Sequence, residues 1–161
     1  MRGQTAIEYM MTYGWAILVV LAIGIVIWQM GFFDLSKNVQ PDKRGFSQVT
    51  VMDWRLAENG GLWNLTVIVQ NNAGTLIDIQ GAPETAANVL QGGSGSCTLA
   101  GAFPVDDFRP ASVMRISFSS CPMQNDLQVG DYYRVNLTIG YQNPASGLPH
   151  LSNGIIWGPA G

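Results

Sequence analysis

From Tyr9 to Phe33 the chain carries no Asp, Glu, Lys or Arg, and apart from the Tyr hydroxyls its plainly polar side chains are Thr12 and Gln29. Such a run predicts a helix in hydrocarbon. At 1.5 Å per residue its 25 residues would extend roughly 37 Å, more than the ~30 Å apolar thickness of a bilayer, so the segment can span with some tilt. Every other feature of the chain must be fitted around this helix.

Glu8 is the exception at its mouth. A carboxylate in lipid is disfavoured, by roughly 2.5–3.5 kcal/mol at the bilayer centre and less near an interface, so it needs a compensating role. Three readings compete. Glu8 marks the interface before an ordinary anchor, helped by the positive end of the helix dipole. Or residues 1–30 are a secretory signal peptide, although Trp28-Gln29-Met30-Gly31-Phe32 offers no small-x-small cleavage site. Or the leader Met1-Arg2-Gly3 is removed before Gln4, leaving an α-amine about one helical turn ahead of Glu8.

The block Gly3-Gln4-x-x-x-Glu8-Tyr9, followed by Tyr13-Gly14-Trp15-Ala16-Ile17-Leu18, resembles the class III signal peptide of archaeal type IV pilin-like proteins. The resemblance covers about the first thirty residues, with Ala6 where the common pattern has Ser. It implies cleavage of the Gly3–Gln4 bond by a prepilin peptidase on the cytoplasmic side, a mature N-terminus at Gln4, and Gln4, Glu8 and Tyr9 at the assembling end of the helix. It also implies the partners: other copies of the chain, joined through a helix bundle, with an assembly ATPase and a membrane platform protein. In related pilins the acidic residue is thought to pair with the α-amine of a neighbour, a group with an ordinary pKa near 7.7–8.0. Such pairing would remove a lone charge from lipid and favour subunit addition. An N-terminal Gln that cyclises to pyroglutamate loses that amine and would leave Glu8 to hydrogen bonding.

Only 12% of the 161 residues are charged, against about 25% in ordinary globular chains, and the helix accounts for part of the deficit. Net charge is −3, which leaves no basic footprint for nucleic acid, and no Lys/Arg run suggests a lipid-surface patch. Residues beyond Phe33 suffice for one modest domain. The chain divides into a cleaved leader (1–3), a transmembrane and assembly helix (4–33), a polar linker (34–45) and an extracellular head (46–161). Basic residues in the linker make topology ambiguous by charge alone, so the outward head rests on the motif and on glycosylation sequons.

From Phe46 onward the hydrophobic period becomes two. Trp63, Leu65, Val67 and Val69 alternate with Asn64, Thr66, Ile68 and Gln70, and Tyr133 to Tyr141 alternates in the same way. Val49 and Val51 followed by Met52, Trp54 and Leu56 change phase, which predicts a bulge or burial on both faces. Weaker strands are expected over 75–80, 113–119 and 154–157. Turn formers separate them, as in Glu58-Asn-Gly-Gly61 and Asn143-Pro-Ala-Ser-Gly147. Residues 84–107 read as a long surface loop. The expected fold is α+β: a long N-terminal hydrophobic helix, then an antiparallel β-sandwich or barrel head of about six to eight strands.

Cys97 and Cys121 are the only thiols. An even count in a chain with an export signature favours a disulfide, with two buried free thiols as the alternative. Asn64-Leu-Thr66 and Asn136-Leu-Thr138 match the N-glycosylation pattern, a short motif that also arises by chance, here with both acceptors in the outward register of the two clearest strands. His150, the single histidine, reads as a loop residue beside Pro149, and no second His completes a metal site. Asp106-Asp107 and Asp131 read as solvated surface, and Gly92-Gly-Ser-Gly-Ser96 lacks the Lys of a phosphate loop. No catalytic residue, metal or cofactor is expected. The aromatics Tyr9, Tyr13, Trp15 and Trp28 fit interface belts or inter-subunit stacking, and Ala6, Gly14, Ala16, Ala22 and Gly24 would admit close neighbours, with Gly24 the place for a bend.

The expected function is structural: a pilin that waits in the cell membrane and is then drawn into an adhesive extracellular filament. The alternatives are a membrane-anchored extracellular binding or adhesin domain that never polymerises and, within the filament class, an archaellin-type motility subunit.

Overall fold

The computed structural model describes residues 4–30 and 40–161. The leader, the helix end expected at Phe33 and the first half of the linker lie outside the described residues. Two units separate, Met1–Asn38 and Val39–Gly161.

Among its described residues the first unit holds one helix, α1, Gln4–Gln29. It runs through Gly24 without a break, and its first turn holds no acidic residue, since Glu8 falls one turn further in.

The second unit is a near-closed antiparallel barrel. Its strands are β1 (Asp42–Arg44), β2 (Val49–Asn59), β3 (Leu62–Asn71), β4 (Ile77–Ile79), β5 (Ala86–Gln91), β6 (Gly95–Ala100), β7 (Val105–Phe108), β8 (Val113–Cys121), β9 (Tyr132–Gln142) and β10 (Pro149–Pro159). Eight follow one another around the wall in the order β1-β10-β9-β5-β6-β8-β3-β2, while β4 joins β9 to β7. The alternation of β3 and β9 sends Trp63, Leu65, Val67 and Val69 from one wall, and Tyr133, Val135, Leu137 and Ile139 from the other, into a single core. The phase change in β2 is a bulge: pairing with β3 slips between Val51 and Asp53, leaving Met52 exposed and returning Leu56 to the interior.

Three expectations are corrected. Residues 84–107 form β5, β6 and β7 rather than a surface loop; their alternation was hidden because the inward residues are small, Ala87 and Cys97 among them. The end of the linker is β1, held by β10 through Asp42↔Trp157, Lys43↔Ile156 and Arg44↔Ile155. His150 lies in β10 opposite Tyr141, with the two rings stacked at 5.4 Å. The stretch Gly92–Ser96, which leads from β5 into β6, is pinned at its start. Gly93 bridges to Met123, and Gln124 N–H donates to the Gly92 carbonyl.

Candidate assembly helix and surfaces of the head

Along α1 the described side chains from Tyr13 to Trp28 are largely exposed on every side, including the consecutive residues Ile17, Leu18, Val19, Val20 and Leu21. A helix apolar all round needs an apolar environment, whether lipid or other helices, rather than one buried stripe. A shallow concavity lined by Tyr13, Ala16, Ile17, Val20 and Leu21 runs along one side. A methyl group added at Gly14 or Gly24 would meet nothing within 4 Å, so both glycines keep room for a neighbouring backbone. Glu8 is exposed; the side chains of Gln4 and Tyr9, the other residues assigned to assembly, lie outside the described ones, as does Gly3 of the cleavage site.

Among the described residues no helix is long and apolar enough to cross a membrane. The unbroken run of described side chains in α1 begins only at Tyr13. The backbone element itself has 26 residues, about 39 Å at 1.5 Å per residue, and Glu8 is its one charged side chain. Taken whole, the element has the length a bilayer requires.

In the head, Cys97 and Cys121 form the disulfide, both largely buried. Continued regularly from Thr98↔Ser119, the β6–β8 ladder would set Cys97 against Ser120. Instead Ser120 adopts φ 51° and β8 slips by one residue against β3 between Trp63 and Leu65. The extra residue turns Cys121 inward beside Cys97, a local device that alternation alone does not reveal.

The sequon asparagines fall where the alternation put them. Asn64 in β3 and Asn136 in β9 both alternate with buried neighbours and point outward, half-buried. Asn136 stands between Ile155 and Asn88 in the adjoining strands, and Asn64 opposes Ala57 and accepts a hydrogen bond from Ser120 N–H.

The wall is left without a ladder between β1 and β2, and other donors close it. Lys43 Nζ donates to the Val51 carbonyl, Ser152 Oγ to that of Val49 at 2.7 Å, and Gly161 N–H to that of Leu56 at 2.8 Å. The edge amides of Lys43 and Trp54 donate to Oδ1 of the preceding Asp42 and Asp53, each at 2.8 Å. A small groove lined by Pro41, Lys43, Met52 and Trp54 marks this seam.

Asp107 N–H donates to Asp78 Oδ1 at 2.9 Å and ties β7 to β4, and Gln128 N–H donates to Asp131 Oδ2 at 2.9 Å within a turn. A cleft of about 460 Å³ at the end of the barrel where β2 passes into β3 is lined by Trp63, Cys121, Met123 and Leu127 with Glu58 at its rim. Among the described residues no group of three or more His, Cys, Asp or Glu could hold a metal ion. Burial pushes the Tyr133 hydroxyl well above its ordinary pKa, opposed by hydrogen bonds with the Trp54 side chain and the Leu56 backbone. Burial also raises that of Tyr141, whose hydroxyl donates to Gln48 Oε1 at 2.8 Å. These two tyrosines tie β9 to β2 and to the segment before it. No family model matches the chain, and no curated protein is similar to it.

Proposed function

We propose that the chain is a type IV pilin-like subunit, inserted in the cell membrane by α1, cut between Gly3 and Gln4 by a prepilin peptidase, and polymerised through α1 into an extracellular adhesive filament. The observation that carries this reading is the single helix Gln4–Gln29, apolar on all its described sides and carrying Glu8 one turn beyond its start. A helix that only anchors needs apolar length. It has no use for a carboxylate set inside the span or for glycines kept open to close neighbours.

In lipid, helix association gains little from hydrophobic burial, so close packing at the small residues and a partner for Glu8 supply the specificity. Outside the membrane the same surface, at about 1.5–3 kcal/mol for each large apolar side chain kept from water, makes the bundle hard to dissociate. The barrel contributes the exposed surface of the filament.

Mass spectrometry of protein sheared from the cell surface tests this directly. Abundant chain beginning at Gln4, with its amine free or cyclised, is the expected result. A chain retained in the membrane fraction with Met1 or Arg2 still present would overturn it in favour of an anchored surface domain.

A further inference from the structure

We infer that Asn64 and Asn136 carry N-linked oligosaccharides and that the wall between them, across β8, β6 and β5, is the sugar-covered face of the head. This goes beyond the filament reading and shares with it only an outward-facing head.

A sequon is informative only where its acceptor is reachable in a suitable setting. Both acceptors lie in the interior of strands whose alternate residues fill the core, so their side chains must leave the wall outward. On one side each is bordered by a small or polar side chain, while Ile155 flanks Asn136 on the other. Ala57 opposes Asn64, and Asn88 opposes Asn136, with Ser96 beyond it. The hydroxyl required by each sequon, on Thr66 or Thr138, lies two residues on and on the same face.

The wall between the acceptors has a matching composition. Ladder partners across it read Thr138↔Ala86, Asn136↔Asn88, Asn88↔Ser96, Thr98↔Ser119 and Ala100↔Ser117↔Thr66. None of these partners is charged; Arg115 of β8, opposite Ile68, and Arg134 of β9, opposite Gln91, are exposed charges further along the same strands. Four strand spacings separate β3 from β9, about 19 Å at 4.8 Å each, a gap that two oligosaccharides can cover from its edges. Amides and hydroxyls at this density hydrogen-bond to sugar without the desolvation that buried charges would impose. The seam side, with its Asp42, Lys43, Arg44, Asp53 and Arg55, lies outside this wall.

The transfer requires a lipid-linked oligosaccharide phosphate as donor and a transferase to catalyse it. The Asn Nδ2 forms a bond to the anomeric carbon as the bond from that carbon to the phosphate oxygen breaks. The phosphate leaves with the electron pair, and the amide nitrogen gives up one proton to a base.

The test is peptide mass spectrometry of the full chain recovered from its native cells, from surface and membrane fractions alike. Glycan mass on the Asn64 and Asn136 peptides is expected, with Asn88, on the same wall but outside any sequon, as the internal control. Thr66→Ser and Thr138→Ser should retain the modification, and Thr66→Ala and Thr138→Ala should abolish it at the altered site. Unmodified Asn64 and Asn136 in native material would overturn the inference, and an unmodified site beside a modified one would overturn it for that site. Glycan on membrane-retained chain would leave it standing while removing the filament reading.

Discussion

The Lys43 ammonium donates a hydrogen bond to the main-chain oxygen of Val51, across the gap between β1 and β2 where the barrel wall has no ladder. A strand edge left open is a template for another chain, and here the exposed carbonyls are capped one by one instead. Lys43→Met keeps the apolar stem and removes the donor. Loss of a charge-assisted bond at this half-buried position should cost about 1–2 kcal/mol, read from urea unfolding followed by tryptophan fluorescence. Light scattering should also show more self-association, because the β2 edge regains an open acceptor. Unchanged stability and a monomeric head would mean that Ser152 and Gly161 close the seam without Lys43.

The disulfide closes a loop with a sequence separation of 24. In the chain-entropy account such a crosslink contributes about 3 kcal/mol. The Cys97→Ala, Cys121→Ala double variant should therefore unfold at clearly lower urea, and reduction of the parent protein should reproduce most of that shift. If the reduced protein matches the oxidised one, the crosslink constrains nothing that the β6–β8 ladder does not already hold.

Gly93 packs its α-carbon so closely on the chain at Pro122 that an added methyl carbon would lie 2.2 Å from the Pro122 carbonyl oxygen. The obstacle is backbone, held by the Gly93–Met123 bridge and by Ser94 N–H donating to that same oxygen. Gly93→Ala should cost about 3 kcal/mol, the upper end for overpacking. Gly60→Ala provides the contrast, since its methyl meets nothing within 4 Å and only its φ of 62° opposes it. Equal effects of the two changes would argue against the close approach at Gly93.

Tyr133 is almost wholly buried and its pKa is raised, chiefly by that burial, from an ordinary value of 10.0. A raised folded-state pKa means that the folded chain keeps a proton that the unfolded chain releases. The contribution is therefore complete below about pH 10 and is lost as pH rises beyond it toward the folded value. Unfolding midpoints should fall steeply above about pH 10. In Tyr133→Phe the midpoint at neutral pH should be lower, because the Trp54 and Leu56 partners lose the hydroxyl, and the alkaline fall should be shallower. An equally steep alkaline fall in the variant would place the titration elsewhere.

Where the sequence is legible, the reason is a repeated physical demand. One buried face imposes period two on β3 and β9, and Met52 stands out because the bulge breaks that period. Residues 84–107 are obscure because β5 and β6 bury Ala87 and Cys97, side chains with little strand signal of their own, and gain their conformation from flanking strands. Asp42-Lys43-Arg44 reads as linker because its charges mask a strand that exists only because β10 offers it an edge. The disulfide pair was readable from count and context, whereas the slip at Ser120 that brings the pair together was not. Among the residues proposed for assembly, Glu8 stands out in sequence as the charge at the mouth of an apolar run. Two of the seam closures, Ser152 to Val49 and Gly161 to Leu56, join residues about a hundred positions apart, and no local pattern announces them.

Glu8 carries the sharpest prediction because two proposed events divide over it. Cleavage depends on the sequence at the Gly3–Gln4 bond, and assembly on a carboxylate four residues later. Glu8→Ala should therefore be processed to a Gln4 terminus at the parental rate yet yield few filaments, while Gly3→Leu should remain unprocessed. Removing the charge also makes the helix easier to hold in lipid, so the Ala variant should accumulate in the membrane fraction rather than vanish by degradation. Glu8→Gln separates the two ways a partner can hold this position. A hydrogen bond survives that substitution and a charge pair does not, so partial rescue by Gln indicates hydrogen bonding, as pyroglutamate at residue 4 would require. Filament yield measured by shearing and immunoblot, alongside the N-terminal peptide, reads both events in one preparation. Parental yield from Glu8→Ala would remove Glu8 from assembly, and a Gln4 terminus in Gly3→Leu would move the cleavage site.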